Sequence, residues 1–386
     1  MILKDLPEIF EDFSEARKEG FLKMKDIKES GKNVVGIFCT YTPKEIIMAA
    51  DAVAVGLCGT SEEPIPDAEK DLPRNLCPLI KSSYGFAMTD KCPYFYFSDL
   101  LVGETTCDGK KKMFELLGEI KPVHVMQLPQ TYDCSEALRL WKNEIIKLKE
   151  RLEKDLGVEI TDEKLRAAIK LRNQERKVLK EFYDLSMACP PPMSGYEMHQ
   201  LLYGSEFKFD RLEFIESMRG IIDKIKSEYE AGSRPISDKA PRIMVTGCPT
   251  GGVADKVIKA IEDSGGVVVC YENCGGAKEK ETLVDESKDC YDALSEKYLN
   301  IACSVMSPND ARYELLSELA DRFKVDGVVE IVLQACHTYN VEAFQVKKHV
   351  SGKLGLPYLY LETDYSKSDS GQIMTRVGAF LEMIDK

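Results

Sequence analysis

Cysteine is the residue type in this sequence with the greatest capacity for chemistry. The chain has 386 residues and 13 cysteines. Several stand at or just after the carboxyl end of an apolar, strand-like run: Cys39, Cys58, Cys107, Cys248, Cys270, Cys274 and Cys336. Open parallel sheets build their sites at this end of the strands. As a group these thiols indicate a metal or cluster site, although any one alone fits a packed core thiol equally well.

The spacing of the cysteines separates the kinds of metal site. Structural zinc is typical of Cys-x2-Cys pairs, and the closest pair here is Cys270 and Cys274. Haem attachment requires Cys-x-x-Cys-His, which the sequence lacks. Widely spaced cysteines brought together by folding fit an iron–sulfur cluster, because the protein supplies only terminal thiolates. An odd cysteine number in a long chain without a secretion signal argues against a disulfide framework.

The elements that must position these cysteines alternate between strand and helix. Strands are predicted at Val34 to Phe38, up to Cys58, at Arg242 to Thr246, at Val267 to Val269, and within "FSDLLVG", "PVHVMQL", "VDGVVEIVLQ" and "LPYLYLET". A helix is predicted from about Lys44, between the first two strands. This alternation predicts an α/β fold with two doubly wound parallel sheets, one in each half.

Charged, helically periodic segments lie between the two halves. We predict an N-terminal domain over residues 1–133, a helical insertion over 134–232 packed on it, and a C-terminal domain over 233–386. The charge runs of the insertion are interpreted as solvated faces.

Composition and charge exclude several classes of function. The net charge of -13 disfavours binding to nucleic acid. No apolar run approaches the length of a membrane span, and the amino terminus is acidic and amphipathic, so we expect a cytoplasmic protein. Because the sequence contains no Gly-x4-Gly-Lys-Ser/Thr loop, any ATP hydrolysis is expected to belong to a partner.

Longer motifs add a family resemblance. "DLLVGETTCDGKKKMFELL", "GIFCTYTPKEIIMAA" and "LQACHTYNVE" resemble subunits of the 2-hydroxyacyl-CoA dehydratase superfamily. "EKDLPRNLCPLIKSSYGF", "KCPYFYFSDL", "YENCGGAK" and "SPNDAR" resemble its double-cubane cluster branch more closely. The resemblance implies two Rossmann-like domains with a helical part, a homodimer, and an 8Fe-9S cluster of two 4Fe-4S cubanes joined by one sulfide. Six cysteines, three for each cubane, would hold it.

The resemblance also suggests which cysteines these are. Cys39, Cys107 and Cys336 lie in the motifs shared with the wider superfamily, Cys77 lies in "NLCPLIKSSYG", and the remaining two ligands are predicted as Cys274 and Cys303. Possible substitutes are Cys58, Cys92 and Cys248, while a structural role is predicted for Cys134, Cys189, Cys270 and Cys290.

Residues beside the predicted ligands suggest how the site is tuned. Cys107 precedes a predicted helix, with Asp108 as a plausible N-cap, and only part of the run Lys110 to Lys112 can face the site. His337, next to Cys336, is predicted as a proton donor, with a hydrogen-bonded structural histidine as the alternative. Glu45 and Glu104 could be a cap and a strand-end charge, or catalytic.

Three functions follow from these observations. The first is an iron–sulfur oxidoreductase that reduces small molecules at low potential, with electrons from a separate ATP-hydrolysing 4Fe-4S activator protein. The second is a 2-hydroxyacyl-CoA dehydratase subunit with a single 4Fe-4S cluster. The third is an electron-transfer or cluster-carrier protein without a substrate of its own.

Overall fold

The computed structural model describes residues 5–384 of the chain. Within them the strands are β1 Val34–Ile37, β2 Val53–Gly56, β3 Leu100–Glu104, β4 Val123–Met126, β5 Arg242–Gly247, β6 Val267–Tyr271, β7 Gly327–Leu333 and β8 Tyr358–Thr363. The helices are α1 Glu15–Glu29, α2 Lys44–Ala49, α3 Ile65–Ala68, α4 Pro78–Met88, α5 Pro93–Phe97, α6 Asp108–Leu117, α7 Ser135–Leu156, α8 Asp162–Asp184, α9 Gly195–Ser205, α10 Arg211–Glu230, α11 Ala254–Asp263, α12 Ala277–Lys280, α13 Cys290–Leu299, α14 Asp310–Arg322, α15 His337–Lys347 and α16 Ser370–Ile384.

The chain divides into two compact units, and each is assembled from segments that are not continuous in sequence. The first unit contains the residues up to Arg172 together with Val284–Asn300. The second contains Asn173–Leu283 together with the residues from Ile301 onward. The segment 134–232, predicted as one helical insertion, is therefore shared: α7 belongs to the first unit, α9 and α10 belong to the second, and α8 runs across the border.

The first unit is built on a parallel four-stranded sheet in the order β2-β1-β3-β4. Val35 in β1 is level with Ala54 in β2 and with Leu100 in β3. All residues of β1 and β3 are buried. This burial explains why the central strands read as unbroken apolar runs rather than as alternating patterns.

The second unit repeats this plan with the order β6-β5-β7-β8, again all parallel. Met244 in β5 is level with Val328 in β7, and Val329 pairs with Leu359 in β8. β5, β6 and β7 are buried along their whole length. In both units the parallel strands end at one edge, so the loops that follow them meet there.

The structure confirms the predicted α/β class with two parallel sheets of Rossmann-like architecture. The predicted strands are present, and β6 extends to Tyr271, which places Cys270 inside the strand rather than after it. No helix in the described part of the chain has both the length and the apolar character required to cross a bilayer.

Candidate functional site

The first unit carries cysteines after three neighbouring strands. Cys39 follows β1, Cys58 follows β2 and Cys107 follows β3, and β1 lies between the other two strands. Because these strands are parallel, their carboxyl ends share one edge of the sheet. The fold thus brings the two predicted ligands Cys39 and Cys107, and the possible substitute Cys58, to the same side of the first unit.

Cys107 forms the N-cap of α6. Its sulfur accepts a hydrogen bond from the backbone N–H of Lys110 at 3.4 Å. The prediction that Asp108 caps this helix was wrong, because Asp108 is the first helical residue and points into solvent, where it pairs with Lys111 at 2.6 Å. The sulfur therefore faces the amino terminus of α6, where the helix dipole favours negative charge.

Lys110 lies buried at the same edge. Its Nζ donates a hydrogen bond to the carbonyl of Phe38, the residue before Cys39, at 2.8 Å. Burial alone would lower the pKa of Lys110, but the electrostatic effects of Cys58, Cys39, Glu104 and Cys107 outweigh burial, and the pKa is raised. An ammonium group is thus held among three thiols.

The helical pattern of α6 explains why Lys110 is buried and the next two lysines are not. Lys110, Met113, Phe114 and Leu117 are its buried residues and follow the i, i+3, i+4, i+7 spacing of one helix face. Lys111 and Lys112 instead pair with carboxylates on the exposed surface. The same periodicity, applied to the sequence, would have selected Lys110 from the run of three.

Cys58 forms a hydrogen bond with the Phe38 carbonyl, which also accepts from Lys110. Its Sγ donates to the Phe38 oxygen at 3.0 Å, and burial raises the pKa of the Cys58 thiol. The Cys58 sulfur thus acts as a hydrogen-bond donor, whereas the Cys107 sulfur acts as an acceptor.

Cys77 is at the N-cap position of α4, and this helix packs against α6 and against Gly59, the residue after Cys58. A side chain at Gly109 would place its Cβ 2.7 Å from Ile80 and 3.2 Å from Leu76. One at Gly59 would lie 2.5 Å from the backbone of α4. These two glycines therefore permit the close approach of the Cys77 segment.

Cys92, the other possible substitute in this unit, caps a different helix. Its sulfur accepts from the backbone N–H of Phe95 at 3.5 Å, at the start of α5. Burial raises the pKa of its thiol, partly offset by the hydrogen bonds from Phe95 and Tyr94. Cysteine is an uncommon N-cap residue, so the sequence pattern indicates neither Cys92 nor Cys107 as a helix cap.

Two buried carboxyl groups accompany the first-unit cysteines. Glu104 ends β3 and accepts a short hydrogen bond from the Thr42 hydroxyl, while its Oε2 has no hydrogen-bond partner among the described residues. Burial raises the pKa of Glu104 to about 7, against the opposing effects of Thr42 and Lys110. Glu45, in α2, accepts from the Tyr298 hydroxyl at 2.7 Å. Glu104 is the strand-end group that the sequence suggested, and it is fully buried.

In the second unit, Cys274 and Cys303 lie near the buried lysine Lys278. The Nζ of Lys278 donates to the Tyr339 hydroxyl at 2.9 Å, and that hydroxyl is 3.9 Å from the Cys303 sulfur. Burial and the charge of Arg312 lower the pKa of Lys278. The effects of Glu272, Cys303 and Cys274 outweigh them, so the pKa of Lys278 is raised. Lys278 also forms an ion pair with Glu272 at 3.0 Å.

A buried ion network supports this second group of residues. Arg312 is fully buried and contacts Glu272 at 3.4 Å and Glu330 at 3.1 Å. Its guanidinium lies 4.9 Å from the ring centre of Tyr339, which adds a cation–π contact. The network fixes the tyrosine against Cys303.

Cys336 occupies the turn between β7 and α15. The preceding residue, Ala335, has a φ of 56°, in the left-handed region that a residue with a Cβ rarely adopts. The Cys336 N–H donates to the Leu333 carbonyl, and the Leu333 N–H donates to the sulfur of the buried Cys248 at 3.3 Å. Cys336 and Cys248 thus both contact the backbone of Leu333, the last residue of β7.

His337 is the first residue of α15 and is exposed, directly after Cys336. Tyr339, two residues later, is buried and approaches Cys303. The first turn of α15 therefore lies between the Cys336 turn and Cys303. The role of His337 as a proton donor stays a prediction.

The cysteines predicted as structural are distributed differently. Cys270 is fully buried within β6, and burial raises the pKa of its thiol. Cys189 is exposed, Cys290 begins α13, and Cys134 precedes α7. All thirteen cysteines are thiols rather than disulfides.

The six predicted ligands fall three in each unit: Cys39, Cys77 and Cys107 in the first, and Cys274, Cys303 and Cys336 in the second. Within residues 5–384, no three His, Cys, Asp or Glu side chains converge closely enough to hold a single metal ion. An iron–sulfur cluster brings its own sulfides and requires only terminal thiolates. The donor chemistry, thiols beside a buried lysine, fits such an anionic group.

The fold and these thiol groups define a class: α/β proteins with two parallel sheets whose carboxyl edges carry cysteines. The chain belongs to the family described as 2-hydroxyglutaryl-CoA dehydratase, D-component, whose model matches residues 39–384. This confirms the membership in the 2-hydroxyacyl-CoA dehydratase superfamily that the motifs indicated.

Three relatives illustrate the range of the family. YjiM of Escherichia coli (strain K12), named provisionally as a dehydratase subunit, is 54% identical over 383 residues, which cover 99% of this chain and 100% of that protein. The (R)-phenyllactyl-CoA dehydratase beta subunit of Clostridium sporogenes is 27% identical and covers 94% of both chains. One of the subunits of benzoyl-CoA reductase from Thauera aromatica is 26% identical over 50% of this chain and 48% of its own length. The family thus comprises subunits of dehydratases and reductases.

Proposed function

We propose that this chain is an iron–sulfur oxidoreductase that uses a double-cubane cluster to reduce small molecules at low potential. The observation that carries the proposal is the gathering of Cys39, Cys58 and Cys107 around the buried ammonium of Lys110 at one sheet edge. Thiols accompanied by a fixed positive charge suit a strongly anionic group. The cluster, when bound, would store and deliver single electrons.

The chain's own residues would hold and shield this group. Cys39, Cys77 and Cys107 of the first unit and Cys274, Cys303 and Cys336 of the second are the proposed ligands. Glu104 and Thr42 would form the buried polar wall beside the first set. The Lys278 ammonium would hold the Tyr339 hydroxyl beside Cys303.

Electrons are proposed to come from a separate ATP-hydrolysing 4Fe-4S activator protein, and the chain is proposed to act as a homodimer. The names of the relatives support the need for partners, because each is a subunit. The sequence also lacks a phosphate-binding loop of its own.

A second candidate function is supported by the same names. Two relatives are named as dehydratase subunits, one of them for a 2-hydroxyacyl-CoA thioester. In that case the chain would carry a single 4Fe-4S cluster and remove water from such a thioester together with a partner subunit.

Metal analysis and paired assays distinguish the candidates. After anaerobic reconstitution with iron and sulfide, about eight irons per chain would support the double cubane, and about four would support the dehydratase. The same preparation, with activator, ATP and a low-potential reductant, should reduce hydrazine, a small nitrogen–nitrogen compound, and leave (R)-phenyllactyl-CoA unchanged. Turnover of the thioester alone would contradict the reductase and favour the dehydratase, whereas electron uptake without any turnover would favour a carrier.

Serine variants test the ligand assignment. Cys39→Ser, Cys107→Ser and Cys336→Ser should each lower the iron content, because a hard oxygen replaces a soft thiolate. Cys189→Ser serves as the control, since Cys189 is exposed. Full iron content in all three ligand variants would place the cluster elsewhere.

A further inference from the structure

The buried ammonium of Lys110 is placed to act on whatever group the neighbouring cysteines hold. It lies on the buried face of α6, at the helix start capped by Cys107. It donates a hydrogen bond to the carbonyl of Phe38, the residue that precedes Cys39. Its position is therefore fixed by contacts with the backbone around two proposed ligands.

A buried ammonium is costly unless an anion lies beside it. Glu104 is a buried carboxyl group that raises the pKa of Lys110, but it does not form a hydrogen bond with the ammonium. Its Oε1 accepts from the Thr42 hydroxyl, and its Oε2 has no hydrogen-bond partner among the described residues. The other groups whose negative charge would act on Lys110 are the sulfurs of Cys39 and Cys107, the two proposed ligands, whereas Cys58 donates to the Phe38 carbonyl as a thiol. The compensating charge at this position is thus expected from thiolates.

Other lysines in the chain show the usual arrangement. Lys111 pairs with Asp108 at 2.6 Å on the surface. The Lys256 side chain is also largely buried, but it forms an ion pair with Asp369 at 2.6 Å, remote in sequence from the proposed ligands. Even Lys278, which lies near Cys274 and Cys303, has Glu272 at 3.0 Å. Lys110 forms no such ion pair with a carboxylate of the described residues, and three of the four groups that raise its pKa are cysteines.

We propose that Lys110 is a positioning residue that supplies the fixed positive charge for the cluster held by Cys39 and Cys107, and that this charge raises the cluster's reduction potential. The inference rests on the proposed function, since it requires a cluster at these cysteines. A nearby cation stabilises the more negative, reduced state more than the oxidised state.

Redox titration of the reconstituted protein, followed by electron paramagnetic resonance, tests this role. Lys110→Met should lower the equilibrium constant for reduction by tenfold or more, which is about 59 mV for a one-electron couple. Lys110→Arg keeps the charge and should restore most of the potential. Lys111→Met, an exposed neighbour, and Lys256→Met, a buried lysine paired with a carboxylate, should both titrate as the wild type does.

A second variant separates charge from folding. Lys110→Gln retains an N–H donor on a side chain one bond shorter and removes the charge, so it should show the same shift even where Lys110→Met loses its native circular dichroism. Loss of iron in Lys110→Gln with an unchanged fold, reversed in Lys110→Arg, would support the same role.

The outcomes that overturn the inference are distinct from those that overturn the proposed function. Wild-type potential and iron content in both Lys110→Met and Lys110→Gln would remove the role of Lys110 and leave the cluster assignment intact. A defect in Lys110→Arg as large as that in Lys110→Met would show that shape rather than charge matters. Absence of iron in the reconstituted wild type would overturn both proposals.

Discussion

Replacing Glu104 by glutamine should abolish a large pH-dependent loss in the free energy of unfolding of the metal-free first unit. Glu104 is fully buried, and burial raises the pKa of its carboxyl from the ordinary 4.5 to about 7. Below pH 4.5 the carboxyl is protonated in the folded and the unfolded chain alike. Between about pH 4.5 and 7 the unfolded chain releases a proton that the folded chain retains, so the free energy of unfolding falls as the pH rises.

The size of this effect follows from the two pKa values. Each unit of difference is worth 1.36 kcal/mol, so the step from 4.5 to about 7 corresponds to about 3 kcal/mol. Glutamine has no proton to release. The difference in unfolding free energy between Glu104→Gln and wild type should therefore move by about 3 kcal/mol in favour of the variant as the pH rises from about 4 to about 8.

The single tryptophan provides the assay. Trp141 is fully buried in α7 of the first unit, so its fluorescence reports that unit during denaturant titration of the reduced, metal-free chain. Glu115→Gln, which changes an exposed carboxylate on α6, is the matched control and should track the wild type. Parallel pH profiles for wild type and Glu104→Gln would refute the reasoning, because they would mean that Glu104 titrates alike in both states.

Two further substitutions test the second unit, with hydrogen exchange of the β5 and β7 amides as the measurement. Arg312→Met should destabilise this unit by about 3–5 kcal/mol, because it leaves Glu330 buried without its cation and leaves Glu272 with Lys278 alone; a loss below about 1 kcal/mol would mean that Glu330 is neutral. Ala335→Gly should stabilise the same unit by about 1 kcal/mol, because glycine adopts the φ of 56° without the steric cost that alanine carries; unchanged or faster exchange would indicate that this turn is not strained.

The strands were predictable because burial on both faces leaves a plain signature. The residues of β1, β3, β5 and β7 are apolar or small almost throughout, and turn residues bound each run. The placement of cysteines at the strand ends followed directly from these runs. The parallel pairing then determined that Cys39, Cys58 and Cys107 would share one edge.

The finer features of the site depend on tertiary contacts that sequence patterns do not encode. Aspartate is a common N-cap and cysteine an uncommon one, so the sequence favours Asp108, although Cys107 is the cap of α6 in the structure. Lys278 lies in the four-residue helix α12, which is too short to show a periodicity. The bond between Glu45 and Tyr298 joins residues 253 positions apart, and no local rule anticipates it.

The late return of the chain to the first unit has a consequence for synthesis on the ribosome. The segment Val284–Asn300 contains α13, which packs on α7. It also contains Tyr298, whose hydroxyl donates a hydrogen bond to Glu45. At roughly 5–20 residues per second, the ribosome needs on the order of ten seconds to proceed from the end of the first segment to this return. During that interval the nascent first unit exposes the apolar surface of α7 that α13 later covers. A molecular chaperone therefore has a defined window in which to bind, and that window closes when residue 300 leaves the exit tunnel.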